Sequence, residues 1–207
     1  MNLYRTIAEG VQRELEAGSL SGVVVGLVSN NEDPDGMARV KLTFPWLTDT
    51  EESAWARVTS FMAGGERGGY FLPEVGDEVL VAFEHGDINR AYVIGSLWNG
   101  VDKPPAANDD GKNNIRRIKS RSGHVITLDD TDGGEKIEIK DKTEKNSIIW
   151  DTAKNTITIA SDKDLALNAP NGKISLDAKE ISIKSSADTT IEATGNMTVK
   201  GSAVNIN

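Results

Sequence analysis

Histidine and cysteine carry most side-chain proton transfer and nucleophilic chemistry near neutral pH. This 207-residue chain holds two histidines, His85 and His124, and no cysteine. A thiolate nucleophile is therefore unavailable, and a base-plus-orienter constellation has almost nothing to be built from. His85 lies in Phe83-Glu84-His85-Gly86-Asp87, which reads as a hairpin turn. The glycine-rich run Ala63-Gly64-Gly65-Glu66-Arg67-Gly68-Gly69-Tyr70 invites a phosphate-cradle reading, but it lacks the Lys-Ser/Thr of a P-loop and no helical pattern follows it. A barrel loop accounts for it. Asp129-Asp130-Thr131-Asp132 clusters oxygen ligands of the kind calcium takes, and the same composition occurs in plain turns. The remaining carboxylates fall on alternating positions and read as a solvated face. No catalytic, cofactor-binding or metal-binding residue is expected, and the expectation is that the chain is not an enzyme.

Composition narrows the classes further. Thirty-two acidic residues against 23 basic ones leave a formal charge of -9, which opposes binding to nucleic acid or to an anionic membrane surface. Without cysteine there is no disulfide framework. No apolar run approaches the roughly 18 residues of a membrane span, and the N-terminus lacks a signal-peptide pattern. The expected site of synthesis and assembly is the cytoplasm.

The elements that dominate the chain lie in its last third. Apolar pairs two residues apart recur at Ile126/Leu128, Ile137/Ile139, Ile148/Trp150, Ile157/Ile159, Leu165/Leu167, Ile174/Leu176, Ile181/Ile183, Thr189/Ile191, Met197/Val199 and Val204/Ile206. Successive pairs begin 11, 11, 9, 8, 9, 7, 8, 8 and 7 residues apart. Each pair reads as a short strand with one dry and one wet face, and Gly, Asn and Asp between pairs supply turns. Two medium-sized side chains per strand cannot make a core, because ordering costs about 1 to 2 kcal/mol of backbone entropy per residue. The dry stripe must face something else. A solenoid with a six-residue period does not fit this spacing, and an ordinary β-sandwich of short strands is the plain alternative. Winding of several chains about one axis fits best, with Ile137, Ile139, Ile157, Ile159, Leu165, Leu167, Ile174, Leu176, Ile181, Ile183, Ile191 and Val199 as its buried core.

Upstream, Leu3, Ile7, Val11 and Leu15 fall four apart and predict an amphipathic helix over residues 3–17, suited either to its own domain or to a partner. Strands are predicted at Val23–Val28, Ala38–Phe44, Ala54–Val58, Glu78–Phe83 and Ala91–Gly95. Five strands in about eighty residues suggest an OB-type barrel. Between Gly22 and Gly100 there are 5 Lys/Arg against 12 Asp/Glu, a balance that opposes the nucleic-acid role of many OB folds. Residues 101–114, with Pro104-Pro105, read as a linker. Arg116, Arg117, Lys119 and Arg121 then form a basic cluster that suits either a solvated strand edge or the acidic barrels.

The run Arg67-Gly68-Gly69-Tyr70-Phe71-Leu72-Pro73-Glu74-Val75-Gly76-Asp77-Glu78-Val79-Leu80-Val81-Ala82-Phe83-Glu84-His85-Gly86-Asp87, with Val93-Ile94-Gly95-Ser96-Leu97-Trp98-Asn99-Gly100, resembles the OB domain of phage baseplate assembly protein V and VgrG-type spikes. Ser122 to Thr131 and Gly134 to Ile137 resemble the start of the β-helical needle in those families. The resemblance implies an all-β homotrimer: an N-terminal helix (1–20) docking to hub proteins through Leu3, Ile7, Val11 and Leu15, an OB domain (21–101), a linker (102–116) and an intertwined β-helical or β-prism spike (117–207). It implies the central spike of a contractile tail or injection baseplate, joining hub to tip and piercing the target envelope, with no nucleic-acid partner. The alternative is an OB-fold binding module for nucleic acid or saccharide with a β-rich tail. Some relatives carry an iron-binding His-x-His apex, whereas no histidine follows His124 here. A blunt end is expected, with Val204 and Ile206 receiving a PAAR-type tip protein.

Overall fold

The computed structural model describes residues 20 and 22–206. The helix expected over residues 3–17, with Leu3, Ile7, Val11 and Leu15, lies outside the described residues. Chain compactness divides the protein at Ile159/Ala160.

The first unit opens with β1 (Val23–Asn30), β2 (Arg39–Phe44), β3 (Thr48–Glu52), β4 (Ala56–Val58), the two-residue strands β5 (Ala63–Gly64) and β6 (Arg67–Gly68), β7 (Glu78–Phe83) and β8 (Ala91–Ser96). Strand order β1-β7-β8-β4-β2 closes through a β1–β2 pairing, so five strands make a closed barrel, with β3 appended to β2. Within this sheet only the β4–β8 pairing is parallel among the described residues. This is the OB barrel expected from the strand pattern. Closure follows from strict alternation: every second residue of β2 (Val40, Leu42, Phe44) and β7 (Val79, Val81, Phe83) is buried. Val28, Ala56, Ala91 and Val93 complete this core, and Leu20 reaches it from the N-terminal side, held by its N–H to the Gly86 carbonyl at 2.8 Å. A side chain at Gly26 would meet the Phe44 ring at 3.0 Å, so β1 needs a glycine where the aromatic lies against its backbone.

Two elements escaped the sequence reading. β3 is Thr-Asp-Thr-Glu-Glu, without an apolar residue to mark it. The glycine-rich loop closes as the β5–β6 hairpin, in register Ala63↔Gly68 and Gly64↔Arg67.

The β1–β2 connection is fastened by Asp33. Its carboxylate accepts the backbone N–H groups of Asp35 (3.1 Å), Met37 (3.0 Å) and Arg39 (3.2 Å). It also takes two bonds from the Arg39 guanidinium, at 2.9 and 2.6 Å. Arg39 above all holds the Asp33 carboxyl far below the ordinary aspartate range.

The second sheet of this unit is an antiparallel meander of β9 (Ile115–Lys119), β10 (Val125–Asp129), β11 (Lys136–Lys140), β12 (Ser147–Asp151) and β13 (Thr156–Ala160). The apolar pairs up to Ile157/Ile159 are thus strands, as the repeat predicts. From 161 to 206 the single chain forms no strand among the described residues, and the strands expected at the later pairs are ones that pair between chains. A strand needs a neighbour for its N–H and C=O groups, and the later pairs find none within this chain.

Leu42 is fully buried at the centre of the barrel. Leu42→Ala should lower barrel stability by about 3 kcal/mol, read as a shifted midpoint in denaturant unfolding followed by tryptophan fluorescence.

Candidate functional site

The five-stranded sheet has two chemically opposite faces. Register pairs Ile118 with Ile126, Ile126 with Ile139, and Ile139 with Ile148, giving one apolar row across four strands. The parallel row is Arg116, Leu128, Ile137 and Trp150. Antiparallel pairing of i, i+2 apolar residues puts all of them on one face, because a strand repeats every two residues. That face is open: Ile126, Leu128, Ile137, Ile139 and Trp150 keep 36–44% of their surface exposed, and Ile118 keeps 52%.

The other face is polar and partly covered. Lys136 and Lys140 both reach Glu138, at 3.3 and 3.2 Å. Thr127 is buried, accepting a bond from Arg117 Nε at 3.2 Å, while another Arg117 nitrogen donates to the Pro105 carbonyl at 3.2 Å. The linker thus meets the polar side at Pro105, and the described residues leave the apolar side bare, the reverse of an ordinary half-buried sheet.

The predicted core positions Ile137 and Ile139 sit side by side in this apolar face, and Ile157 and Ile159 lie in the adjoining strand β13. In the second unit, Leu165, Leu167, Ile174, Leu176, Ile181, Ile183, Ile191 and Val199 are exposed, as are Val204 and Ile206, from 51% at Ile174 to 91% at Ile206. Nothing in that unit brings them together into a core.

Three aspartates, each the last residue of its strand or the one after it, set the turns of the meander. Asp129 Oδ1 accepts the N–H of Thr131 at 3.0 Å. Asp151 takes the Lys154 N–H at 2.9 Å and its ammonium at 2.7 Å. Asp141 gathers the Asn146 side chain at 2.9 Å and the Thr143 hydroxyl at 2.8 Å. Glu144 and Asn155 adopt left-handed φ values of 60° and 54° inside these turns. These carboxylates are turn fasteners: Asp129 serves a plain turn, the reading open beside calcium, and Asp141 and Asp151 hold turns where a solvated face was expected. The Asp-x-Thr and Asp-Lys-Thr-x-x-Asn spacings carried that signal.

The chemistry-bearing residues do not converge. His85 occupies a 3-10 turn, Glu84–Gly86, at φ 52°. His124 accepts the Lys142 N–H at Nδ1, 3.3 Å. The suggested calcium ligands have separate partners, since Asp130 pairs with Arg116 at 3.0 Å while Asp129 binds its own turn. Among the described residues no group of three His, Asp or Glu side chains is placed to hold a metal. The glycine-rich hairpin borders an open cleft of about 720 Å³ lined by Met37, Phe61, Met62, Tyr70 and Phe71, with Arg67 its one basic side chain, a lining unsuited to phosphate. Of the basic cluster, Arg121 does meet the barrel, at Glu74, 2.7 Å away. That pair is exposed and worth little alone.

Residues 24–98 match the type VI secretion system/phage-baseplate injector OB domain. The chain is 28% identical over 140 residues, 64% of its length, to the type VI secretion system spike protein VgrG3 of Vibrio cholerae. It is 31% identical over 123 residues, 55% of its length, to spike protein VgrG2a of Pseudomonas aeruginosa. Spike protein VgrG1a of the same bacterium is 28% identical over 153 residues, 66% of this chain. These matches span 14%, 14% and 23% of the respective relatives. The similarity therefore covers the OB barrel and, in the spike proteins, more than half of this chain, while the chain spans less than a quarter of each of those relatives.

The Asp141 turn makes the sheet sensitive to acid. Hydrogen bonds from Asn146 and then Thr143 hold the carboxyl at about 2, below the usual 3.8. A lowered folded-state value means the contribution is complete above about pH 4 and is lost as pH falls through about 2. Asp141→Ala should therefore weaken the β11–β12 hairpin at neutral pH, seen as faster amide exchange of residues 136–151, and the difference from the parent should vanish near pH 2.

Proposed function

We propose that this chain is the central spike protein of a contractile tail or injection baseplate, acting as a homotrimer whose C-terminal halves wind into one rigid needle. The observation that carries the reading is the bare apolar face of β9–β12, followed along the sequence by the exposed pairs from Leu165 to Ile206. Among the described residues nothing covers that surface, and its burial at about 25 cal/mol per Å² is available against copies of the chain. Copies of the same chain carry the same stripe at the same spacing, so three stripes meet around a common axis without any new chemistry.

The similarity to VgrG spikes supports the assignment to an injection baseplate. In this reading the helix expected near the N-terminus joins hub proteins through Leu3, Ile7, Val11 and Leu15. Val204 and Ile206 offer an apolar ring to a PAAR-type tip protein. The needle enters the target envelope mechanically, after cytoplasmic assembly and incorporation into the particle. A nucleic-acid or saccharide module is the weaker reading. The barrel carries 12 acidic against 5 basic residues between Gly22 and Gly100, and the basic side chains of β2 are already engaged, Arg39 with Asp33 and Lys41 with Glu52.

Light scattering of the full chain should give the mass of three copies, and a monomer would refute the spike. Ile181→Asp would set three like charges around a dry axis, where each is costly without a partner. That variant should lose the trimer or its resistance to heat, and a soluble, heat-resistant trimer would count against the wound needle. Chains that cannot part without breaking most of the interface should also exchange very slowly, so labelled trimers mixed at room temperature should stay unmixed for days.

A further inference from the structure

The outside of the barrel has two unlike sides. Residues pointing outward from β1, β7 and β8 are mostly apolar. Val23 lies across from Ala82, and Val25 across from Leu80, which in turn faces Gly95 beside the bulged Ile94. Val23 (54%), Val25 (41%) and Ile94 (42%) are exposed. The opposite side, β4-β2-β3, is charged and saturated with its own partners. Lys41 pairs with Glu52 at 3.0 Å, and the Trp55 ring lies between Arg39 and Lys41, with centroid distances of 5.9 and 5.6 Å. Arg57 lies 5.6 Å over Tyr92, which marks the boundary between the two sides. The outer surface of a small barrel is ordinarily polar, and a contiguous apolar strip on it marks a contact surface.

A second copy of this chain fits that strip. In a closed ring of three, each barrel touches its neighbours along directions about 60° apart, and each contact joins two different margins of the same surface. Strands of a five-stranded barrel are spaced about 72° around its axis, so a face three strands wide serves both contacts. The apolar strip has that width and its margins differ. The β1 margin carries Val23 and Val25, with Trp46 bonded through its indole N–H to the Val25 carbonyl at 3.0 Å. The β8 margin carries Ile94 beside Phe61 and Phe71, whose rings are 6.4 Å apart at the edge of a cleft of about 420 Å³. Charge points the same way. Barrels with a surplus of seven acids repel when their charged sides meet, and the β1-β7-β8 side is the one that approaches a like copy at least cost. Arg67, beside the aromatic margin, makes no ion pair within the described residues and is free to meet an acidic neighbour.

We infer that the barrels form a ring with β7 nearest the axis, the Val23/Val25 margin of one copy lying against the Ile94/Phe61/Phe71 margin of the next and the Arg39–Trp55–Lys41 side facing outward. This rests on the trimeric reading above. Because the chain has no cysteine, single substitutions report without background. In the full-length trimer, cysteines from Val25→Cys and Ile94→Cys should react with a maleimide about tenfold or more slowly than one from Arg57→Cys. Equal rates in a preparation of trimer mass would overturn the ring orientation and leave the needle intact. A monomeric mass would instead refute the trimer, and this inference with it. Adding Val25→Asp to Ile94→Cys should keep the trimer mass through the needle while raising the thiol's rate to that of Arg57→Cys. Protection unchanged by that charge would also overturn the arrangement.

Discussion

An apolar face that the described residues leave open is the constraint on which everything downstream of the barrel depends. Ile126, Leu128, Ile137, Ile139 and Trp150 are brought into register by antiparallel pairing and then left open. In a globular domain a helix or a second sheet would close over such a face. Here the linker turns to the opposite, polar side, through Arg117, Thr127 and Pro105. That surface is therefore the one on which the proposed association between chains would draw.

The two sheets solve the problem of burial in different ways. The barrel closes on itself, so Val40, Leu42, Val79, Val81 and Val93 find one another within about fifty residues of chain and are almost fully buried. The meander cannot close, because each strand offers two inward side chains and turns back at once. Its register is kept by turn chemistry instead: Asp129, Asp141 and Asp151 each bind the backbone two or three residues on and hold adjacent strands in step. A self-sufficient base thus carries a sheet whose rows are prepared for partners before any partner arrives.

The barrel and the meander are joined by a short segment. Residues 101–114 make that join with two prolines and little regular structure, and the contacts that stiffen it are polar. Arg117 holds the linker carbonyl of Pro105, and Arg121 reaches Glu74 on the barrel. Such bonds are short-ranged and directional, so they set an angle rather than add much stability.

Much of this was legible in the residues alone. Period-two alternation in Arg39–Phe44 and Glu78–Phe83 determined two barrel strands and which of their side chains enter the core. The recurring apolar pairs determined the strands from Val125 to Ala160 and that the last third lacks a core of its own, because two side chains per strand bury too little area to offset ordering. The absence of cysteine and the scarcity of histidine left little material for catalysis. Other features were decided only by the tertiary structure. Strand β3 has no apolar residue, and it pairs because β2 presents a free edge. The roles of Asp129, Asp141 and Asp151 depend on N–H groups that converge only once the turn has formed. The split of the barrel into an apolar side of β1, β7 and β8 and a charged side of β4, β2 and β3 is invisible along the chain. It arises because closure places strands distant in sequence next to one another, and no local pattern records which outward faces will be neighbours.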